Sequence, residues 1–430
     1  MSGAFLWLNR MLAVPGVPAA CLVRAKVLAG RGDEFGAFRL FARAARAGLP
    51  EACYRLGRCY LLNLGVPPAI NEALRWLGRA AESGDAAART QLGSLALQGV
   101  TDRDPGALFD APGSGPDYDR AEHWCRLAGT AEAKALLAFI LTEGPAARRD
   151  PAAADALYQQ AADAGWPGGQ LGVAARLLRQ GGQANAQRAA VLLRGAAAAG
   201  LATAHHLLGV LAESGAVGAA DVIAAATHYK LAAEAGYVPA QVRYGFAMLL
   251  GRGIPRDLFG AETWLRRAAL AGDPQAAAVV GYLYVRDGDL PANHSEAAIW
   301  LRRAAEAGHR GAARTLGRLL LLGVGVPRDL ADAAHWLRLA AEAGVRSAWA
   351  DLVRLALTGQ AGDADRAAAA QWLRAEAAAG DPAARFEYGL CLAQGIGVEQ
   401  DLAAALDWVR RSAIAGHGDA MAMLAQLPAV

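Results

Sequence analysis

Apolar and polar positions along the chain repeat with a period of 36 residues. Two copies of one stretch show this: LLGRGIPRDLFGAETWLRRAALAG at 249–272 and LLGVGVPRDLADAAHWLRLAAEAG at 321–344. Within each period, apolar residues recur at the three- and four-residue spacing that places them on one face of an α-helix. The pattern predicts two amphipathic helices per period, helix A and then helix B, and therefore an all-α fold.

A glycine ends each alanine-rich run and marks the period. Neighbouring members are 36 residues apart, except for one interval of 45 and one of 35. Glycine adopts the left-handed conformation that ends a helix without strain, so this column predicts the turn into the next helix A. The column contains Gly48, Gly84, Gly129, Gly165, Gly200, Gly236, Gly272, Gly308, Gly344, Gly380 and Gly416.

Three further columns have a physical reason. A second glycine lies nine residues after the turn glycine, inside helix A; because it costs roughly 0.5–1 kcal/mol relative to alanine, it indicates close helix packing. A loop of the form G-x-G-[VI]-P-x-D then ends in an aspartate expected to cap helix B: Asp117, Asp150, Asp221, Asp257, Asp329, Asp365 and Asp401. Seven residues later comes a tryptophan expected to fill the space between helix pairs: Trp76, Trp124, Trp264, Trp300, Trp336, Trp372 and Trp408.

One helix pair cannot bury its apolar face alone, so the pairs must stack into an α-solenoid. We predict about eleven pairs over 18–430, preceded by a capping helix at 1–17. A lone C-terminal helix is expected at 417–427. Residues 99–117 exceed the period and are expected to form an inserted loop with Leu108 and Phe109 at its apolar tip.

The motifs A-x-x-x-L-G, G-x-G-V-x-x-D and A-x-x-W-L-x-x-A-A-x-x-G resemble the Sel-one-like (Sel1) repeat, a relative of the tetratricopeptide repeat. The resemblance covers nearly the whole chain and implies a right-handed α-solenoid. It also implies an adaptor or scaffold role, often in bacterial signalling, envelope or secretion systems. The tryptophans missing from 157–228 and the absence of regularly spaced cysteine pairs depart from the pattern of secreted relatives.

Variable columns of helix A are the expected recognition surface. Positions seven, ten and fourteen after the turn glycine share one helical face, which in related solenoids lines the concave groove. Arginines beside aromatic residues suit a protein or peptide partner with carboxylates and apolar anchors. The candidate partner-binding residues are Arg55, Arg58, Gln91, Arg243, Phe246, Tyr282, Arg286, Arg318, Asp351, Arg354 and Glu387. The arginines of helix B, such as Arg266 and Arg267, are instead expected on a solvated convex face.

Charge and motifs exclude several function classes. The net charge of +3 gives no electrostatic footprint for nucleic acid. None of the three lysines follows a glycine as in a P-loop, and no H-E-x-x-H, C-x-x-C or S-x-x-K occurs, so we expect no metal site, no cofactor and no enzyme. No apolar run reaches the ~20 residues of a membrane span.

The sequence predicts a non-catalytic, cytoplasmic adaptor. The five cysteines are expected to be reduced and mostly buried, and the N-terminal 21 residues resemble a signal peptide only weakly because no basic residue precedes the apolar part. The alternative is an envelope-associated regulator or assembly factor for exopolysaccharide or secretion machinery, which requires processing of the N-terminus. The sequence indicates neither the partner nor the oligomeric state.

Overall fold

The computed structural model describes residues 17–100, 115–286 and 290–426. They fall into two compact units, which lie within residues 1–220 (unit 1) and 221–430 (unit 2). The described residues form 23 α-helices, one 3₁₀ turn and no β-strand, so the predicted right-handed α-solenoid class is confirmed. Apart from Val17, the helix expected at 1–17 lies outside the described residues, as do Leu108 and Phe109.

Unit 1 begins with a helix A, and A and B then alternate. Its helices are α1 (Pro18–Gly30), α2 (Glu34–Arg46), α3 (Pro50–Leu62), α4 (Ile70–Glu82), α5 (Ala86–Leu97), α6 (Tyr118–Ala128), α7 (Ala131–Glu143), α8 (Pro151–Asp163), α9 (Pro167–Gln180), α10 (Gln183–Ala198) and α11 (Ala202–Ser214), with a 3₁₀ turn at Ala146–Arg148.

Unit 2 begins with a helix B and ends on a single helix A. Its helices are α12 (Val222–Glu234), α13 (Val238–Leu250), α14 (Leu258–Leu270), α15 (Pro274–Val285), α16 (His294–Glu306), α17 (Arg310–Leu322), α18 (Leu330–Glu342), α19 (Arg346–Leu357), α20 (Asp363–Ala379), α21 (Pro382–Gln394), α22 (Leu402–Ile414) and α23 (Gly418–Gln426).

The glycine inside helix A lets helix B approach closely. In six pairs, a Cβ built on this glycine would lie only 2.6–2.8 Å from a side-chain atom of helix B. The helix B residue is the one after the tryptophan column, and it is at most 5% exposed. The six contacts are Gly57 with Leu77, Gly93 with Cys125, Gly245 with Leu265, Gly281 with Leu301, Gly317 with Leu337, and Gly389 with Val409.

The tryptophans have a less buried position than the sequence suggested. Only Trp300 and Trp336 are buried, while the other five of the column are partly exposed. An arginine three residues later lies over several of the rings, with its guanidinium carbon 4.7 Å from the ring centre of Trp264 in the case of Arg267. The residue after the tryptophan therefore fills the interior of the pair, and the indole covers its edge.

Six of the seven predicted aspartate caps are confirmed. Asp329, for example, accepts hydrogen bonds from the backbone N–H groups of Ala331 and Asp332 at the start of α18. Asp365 is the exception, because α20 begins two residues earlier with Gly362 as its N-cap. The loop before α20 is short and lacks the G-x-G-[VI]-P sequence, so the helix extends backwards past the aspartate column.

The second glycine of the loop fixes one pair against the previous one. Gly325 has φ 73°, and a Cβ there would lie 2.3 Å from the Cβ of His294, the first residue of α16. Gly253 shows the same contact, since its Cβ would meet the carbonyl oxygen of Val222 at 2.1 Å. The G-x-G loop thus packs against the first turn of helix B in the preceding pair.

Gly57→Ala should lower the free energy of unfolding by roughly 1–3 kcal/mol, because the new methyl group would overlap Leu77 and the carbonyl oxygen of Ala73. Gly78→Ala, in helix α4 of the same pair, is the matched control, because its Cβ meets no atom within 4 Å. This substitution should raise the free energy of unfolding by about 0.5–1 kcal/mol, since alanine favours the helix over glycine. Urea unfolding followed by circular dichroism measures both changes. Equal effects of the two substitutions would contradict the packing argument.

Candidate functional site

In unit 2, three successive helices A enclose a pocket of about 600 Å³. It lies among α13, α15 and α17 and reaches the residue before α19. An apolar surface with a few polar groups at its edge is typical of sites that bind a side chain or a short peptide segment. The lining consists of Leu249, Val279, Leu283, Val285, Gly311 and Val345, with Tyr282, Arg286, Arg314 and Thr315 as its polar side chains.

Two of these polar groups are held in place by neighbours. The guanidinium Nη2 of Arg314 lies 3.1 Å from Oδ2 of Asp351, a carboxylate that is only 9% exposed. Burial raises the pKa of Tyr282, while a hydrogen bond with Thr315 opposes this. A Cβ at position 311 would lie 2.8 Å from the Tyr282 hydroxyl, so Gly311 leaves room for that ring.

Arg286 is the exposed cation of this pocket. It is the residue that follows α15, fourteen residues after the turn glycine. The pocket residue Gly311 corresponds to Glu51 of α3, which forms an ion pair with Lys26, the ninth residue of α1. The ninth residue of α15 is Tyr282, whose hydroxyl lies next to Gly311, and no described carboxylate pairs with Arg286.

A second pocket, of about 210 Å³, lies on helices A of unit 1. It carries a carboxylate in place of arginines. Glu132, in the first turn of α7, is half-buried, and burial raises the pKa of its carboxyl group. The lining residues are Tyr54, Ala87, Thr90, Gln91, Thr130, Ala131, Glu132 and Trp166.

The structure brings together only part of the predicted stripe. Tyr282 and Arg286 share the pocket of unit 2, and Gln91 lines the pocket of unit 1. Arg314, Glu132 and Trp166 were not among the predicted residues, because they occupy positions six, three and one after the turn glycine. Successive helices A contact each other directly, as α5 does α7, so the first turn of one helix faces the middle of the previous one.

The other predicted residues lie elsewhere on helices A. Arg58 lies over the ring of Tyr54 at 5.9 Å, and Arg55 pairs with Glu51 at 3.7 Å. Asp351 is buried against Arg314 and is not a free carboxylate. The remaining five do not line either pocket: Arg243, Phe246, Arg318, Arg354 and Glu387. Burial raises the pKa of Glu387, near Arg354 and His417.

The helix B arginines are not simply solvated, contrary to expectation. In unit 2, Arg266 donates to Glu262 of its own helix at 2.6 Å and pairs with Glu296 of the next helix B at 2.6 Å. Although burial opposes the charge, the hydrogen bonds that Arg266 donates to Glu262, Glu296 and Tyr284 raise the pKa of its guanidinium group. The next two repeats follow the same pattern: Arg302 pairs with Asp332, and Arg338 with Asp365. This face links successive helix pairs.

The described residues offer little for other chemistry. No group of three or more potential metal-ligating side chains occurs among them, and none of the described helices is long and apolar enough to span a bilayer. All five cysteines are buried and free, as predicted. Burial raises the pKa of Cys125 to about 12, so this thiol is poorly suited to act as a nucleophile.

A family model described as the Sel1 repeat matches more than half of the chain. The matched residues are 31–49, 50–85, 107–130, 131–166, 202–237, 238–273, 274–309, 312–345 and 382–417. The chain belongs to the Sel1 repeat family. Two of its helix pairs, α9–α10 and α19–α20, lie wholly outside these matches, and both have short loops between helices A and B. Sel1 repeat proteins generally mediate protein–protein interactions and are typically non-catalytic scaffolds.

Solved structures show the same fold. A protective antigen of uropathogenic Escherichia coli with an SLR fold is 24% identical, with a TM-score of 0.59, and the match covers 90% of this chain and 81% of that one. A Sel1 repeat protein from Oxalobacter formigenes is 25% identical, with a TM-score of 0.47, over 81% of this chain and 99% of that one. The comparison with curated proteins finds no match.

Glu296 and Glu132 should respond oppositely to neutralisation. The hydrogen bond from Arg266 lowers the pKa of Glu296, so its charge stabilises the fold at neutral pH. Glu296→Gln should therefore cost about 1 kcal/mol at pH 7. Burial raises the pKa of Glu132, so its charge opposes folding and Glu132→Gln should raise the free energy of unfolding.

Urea unfolding at several pH values tests this sign. The gain from Glu132→Gln should vanish as the pH falls below the unfolded-state pKa of about 4.3, where the wild-type carboxyl is protonated in both states. The loss from Glu296→Gln should disappear as the pH falls through the lowered pKa of Glu296. A loss of stability in both variants at pH 7 would mean that Glu132 has a cationic partner.

Proposed function

We propose that this protein is a non-catalytic adaptor that binds an extended segment of a partner protein along the helix A face of unit 2. The carrying observation is the pocket among α13, α15 and α17, where apolar side chains lie beside Arg286. A partner segment with a bulky apolar residue next to an aspartate or glutamate fits this arrangement. The apolar side chain would occupy the pocket and the carboxylate would pair with Arg286.

The charges around the pocket support the choice of a carboxylate. Arg286 is exposed, and no described carboxylate pairs with it. Gly311 occupies the position that holds Glu51 in unit 1, so this position adds no acid to the pocket. Arg314, already paired with Asp351, shapes the wall and leaves Arg286 for the partner.

Selection of peptides from a random displayed library on the full-length protein tests the proposal. The selected peptides should carry an acidic residue next to a bulky apolar one. Arg286→Glu should weaken their affinity about tenfold or more, because it replaces a charge-assisted contact by repulsion. Isothermal titration calorimetry with synthetic versions of the peptides measures the effect.

Arg410→Glu is the matched control, since Arg410 is an exposed arginine on helix B of unit 2, outside the pocket. It should leave the affinity unchanged while altering the net charge equally. Peptides without acidic residues, or peptides that bind the Arg286→Glu variant as tightly as the wild type, would contradict the proposed groove.

A further inference from the structure

The pocket of unit 1 contains a carboxylate that has no cationic partner among the residues the structure describes. Glu132 projects from the first turn of α7 into a space also lined by Gln91 of α5 and Trp166. Its carboxyl group is half-buried, and no described lysine or arginine forms an ion pair with it. A buried, ionised carboxylate without a partner is costly to the fold.

An equivalent carboxylate elsewhere in unit 1 shows what this position accepts. Glu51 and Glu132 both lie three residues after a turn-glycine position, at the start of α3 and α7. Glu51 forms ion pairs with Lys26 of α1 and with Arg55. Lys26 is the ninth residue of α1, and the ninth residue of α5, the helix A before Glu132, is Ser94, which carries no charge. Among the described residues, the first site therefore contains a cation–carboxylate pair and the second contains only the acid.

Helix stability alone does not account for Glu132. An acidic residue in the first turn favours the helix dipole by about 0.3–1 kcal/mol, mostly where it is exposed. The N-terminus of α7 is already capped, because Thr130 accepts a hydrogen bond from the N–H of Ala133. A half-buried carboxylate adds a desolvation cost there that a solvated one would avoid.

The rest of the pocket suits a cation with an apolar stem. Trp166 is 36% exposed and lines the pocket, and an indole ring is the side chain best suited to a cation–π contact. The Tyr54 ring is already covered by Arg58, so it serves as a wall. The Thr90 and Thr130 hydroxyls, 2.9 Å apart, satisfy each other, whereas Gln91 can accept a further hydrogen bond through its amide oxygen.

We infer that the pocket formed by Tyr54, Gln91, Glu132 and Trp166 binds a lysine or arginine side chain of a partner protein. The ammonium or guanidinium group pairs with Glu132, and its methylene stem lies against Trp166. A volume of about 210 Å³ accommodates one such side chain and excludes a folded element. This inference rests on the proposed adaptor function for its biological partner, but the pocket and its charge lie in unit 1 and are independent of Arg286.

The test uses three capped tripeptides and the full-length protein: acetyl-Gly-Lys-Gly-amide, its arginine counterpart, and acetyl-Gly-norleucine-Gly-amide, which keeps the stem without the charge. Binding is followed in the wild type by the NMR shift of the Trp166 indole N–H, assigned by its loss in Trp166→Phe. The lysine or arginine probe should shift this signal with millimolar affinity, and the norleucine probe should bind about tenfold more weakly or not at all.

Glu132→Gln is the decisive variant, and Glu387→Gln is its matched control. Glu387 is another half-buried glutamate of a helix A whose pKa burial raises, and it lies outside the pocket. The cationic probe should lose about tenfold or more in affinity with Glu132→Gln and none with Glu387→Gln. Far-UV circular dichroism and thermal melting verify that both variants are folded.

Three results would overturn the inference. The first is that the cationic probe binds Glu132→Gln as tightly as the wild type. The second is that the norleucine probe binds the wild type as tightly as the cationic probes do, and the third is that neither cationic probe shifts the Trp166 signal. The last two are measured on the wild-type protein and do not depend on the folding of a variant. If the peptide selection yields no acidic peptides while the cationic probes bind this pocket, the proposed function of unit 2 is wrong and the cation site of unit 1 still stands.

Discussion

The repeat depends on a missing side chain. Helix A has a glycine at the point where it meets helix B. The helix B side chain that follows the tryptophan comes so close to this glycine that a Cβ atom there would overlap it. This contact sets the spacing of the two helices, and the alanines around it are buried for the same reason. Close approach increases the number of dispersion contacts per residue, which offsets the intrinsic cost of glycine in a helix. The other repeated features follow from this distance.

The indole ring shows one such consequence. Because a leucine, cysteine or valine occupies the space next to the glycine, the tryptophan before it is left at the edge of the pair. There arginine side chains lie over the indole ring. Trp300 contacts two of them, Arg303 of its own helix and Arg266 of the preceding repeat. Arg266 also pairs with Glu296, so the same side chain joins stacking and charge pairing across two repeats. Helix B thus contributes cohesion between neighbours as well as a solvated face.

The fold could be predicted from the sequence because its constraints are local and repeated. The turn glycines all have positive φ, and six aspartates cap helix B as their position indicated. Asp365 was misplaced because the loop before it is shorter, so the same column falls inside the helix. The tryptophan was assigned too deep a position because apolar character alone does not distinguish a residue facing its partner helix from one at the edge.

The candidate site was predicted less completely, for a geometrical reason. Helical spacing identifies residues that share a face of one helix, and this found Gln91, Tyr282 and Arg286. It does not tell which part of the next helix they face. Since the first turn of one helix A lies against the middle of the previous one, Glu132 and Trp166 enter the site from columns that look like helix starts. The ion pair between Lys26 and Glu51 shows this register, because the two residues are the ninth residue of α1 and the second residue of α3.

This register also explains how a repeat protein can acquire different binding sites on a constant frame. The two positions that meet between consecutive helices A lie outside the glycine–leucine contact, so either can change without loss of that contact. When both carry charges, as at Lys26 and Glu51, the chain satisfies itself. At Ser94 and Glu132 only the acid is present, and at Tyr282 and Gly311 neither residue is charged, so the cation of that pocket comes from Arg286. In the two proposed sites, the charge that is present selects a partner side chain of the opposite sign.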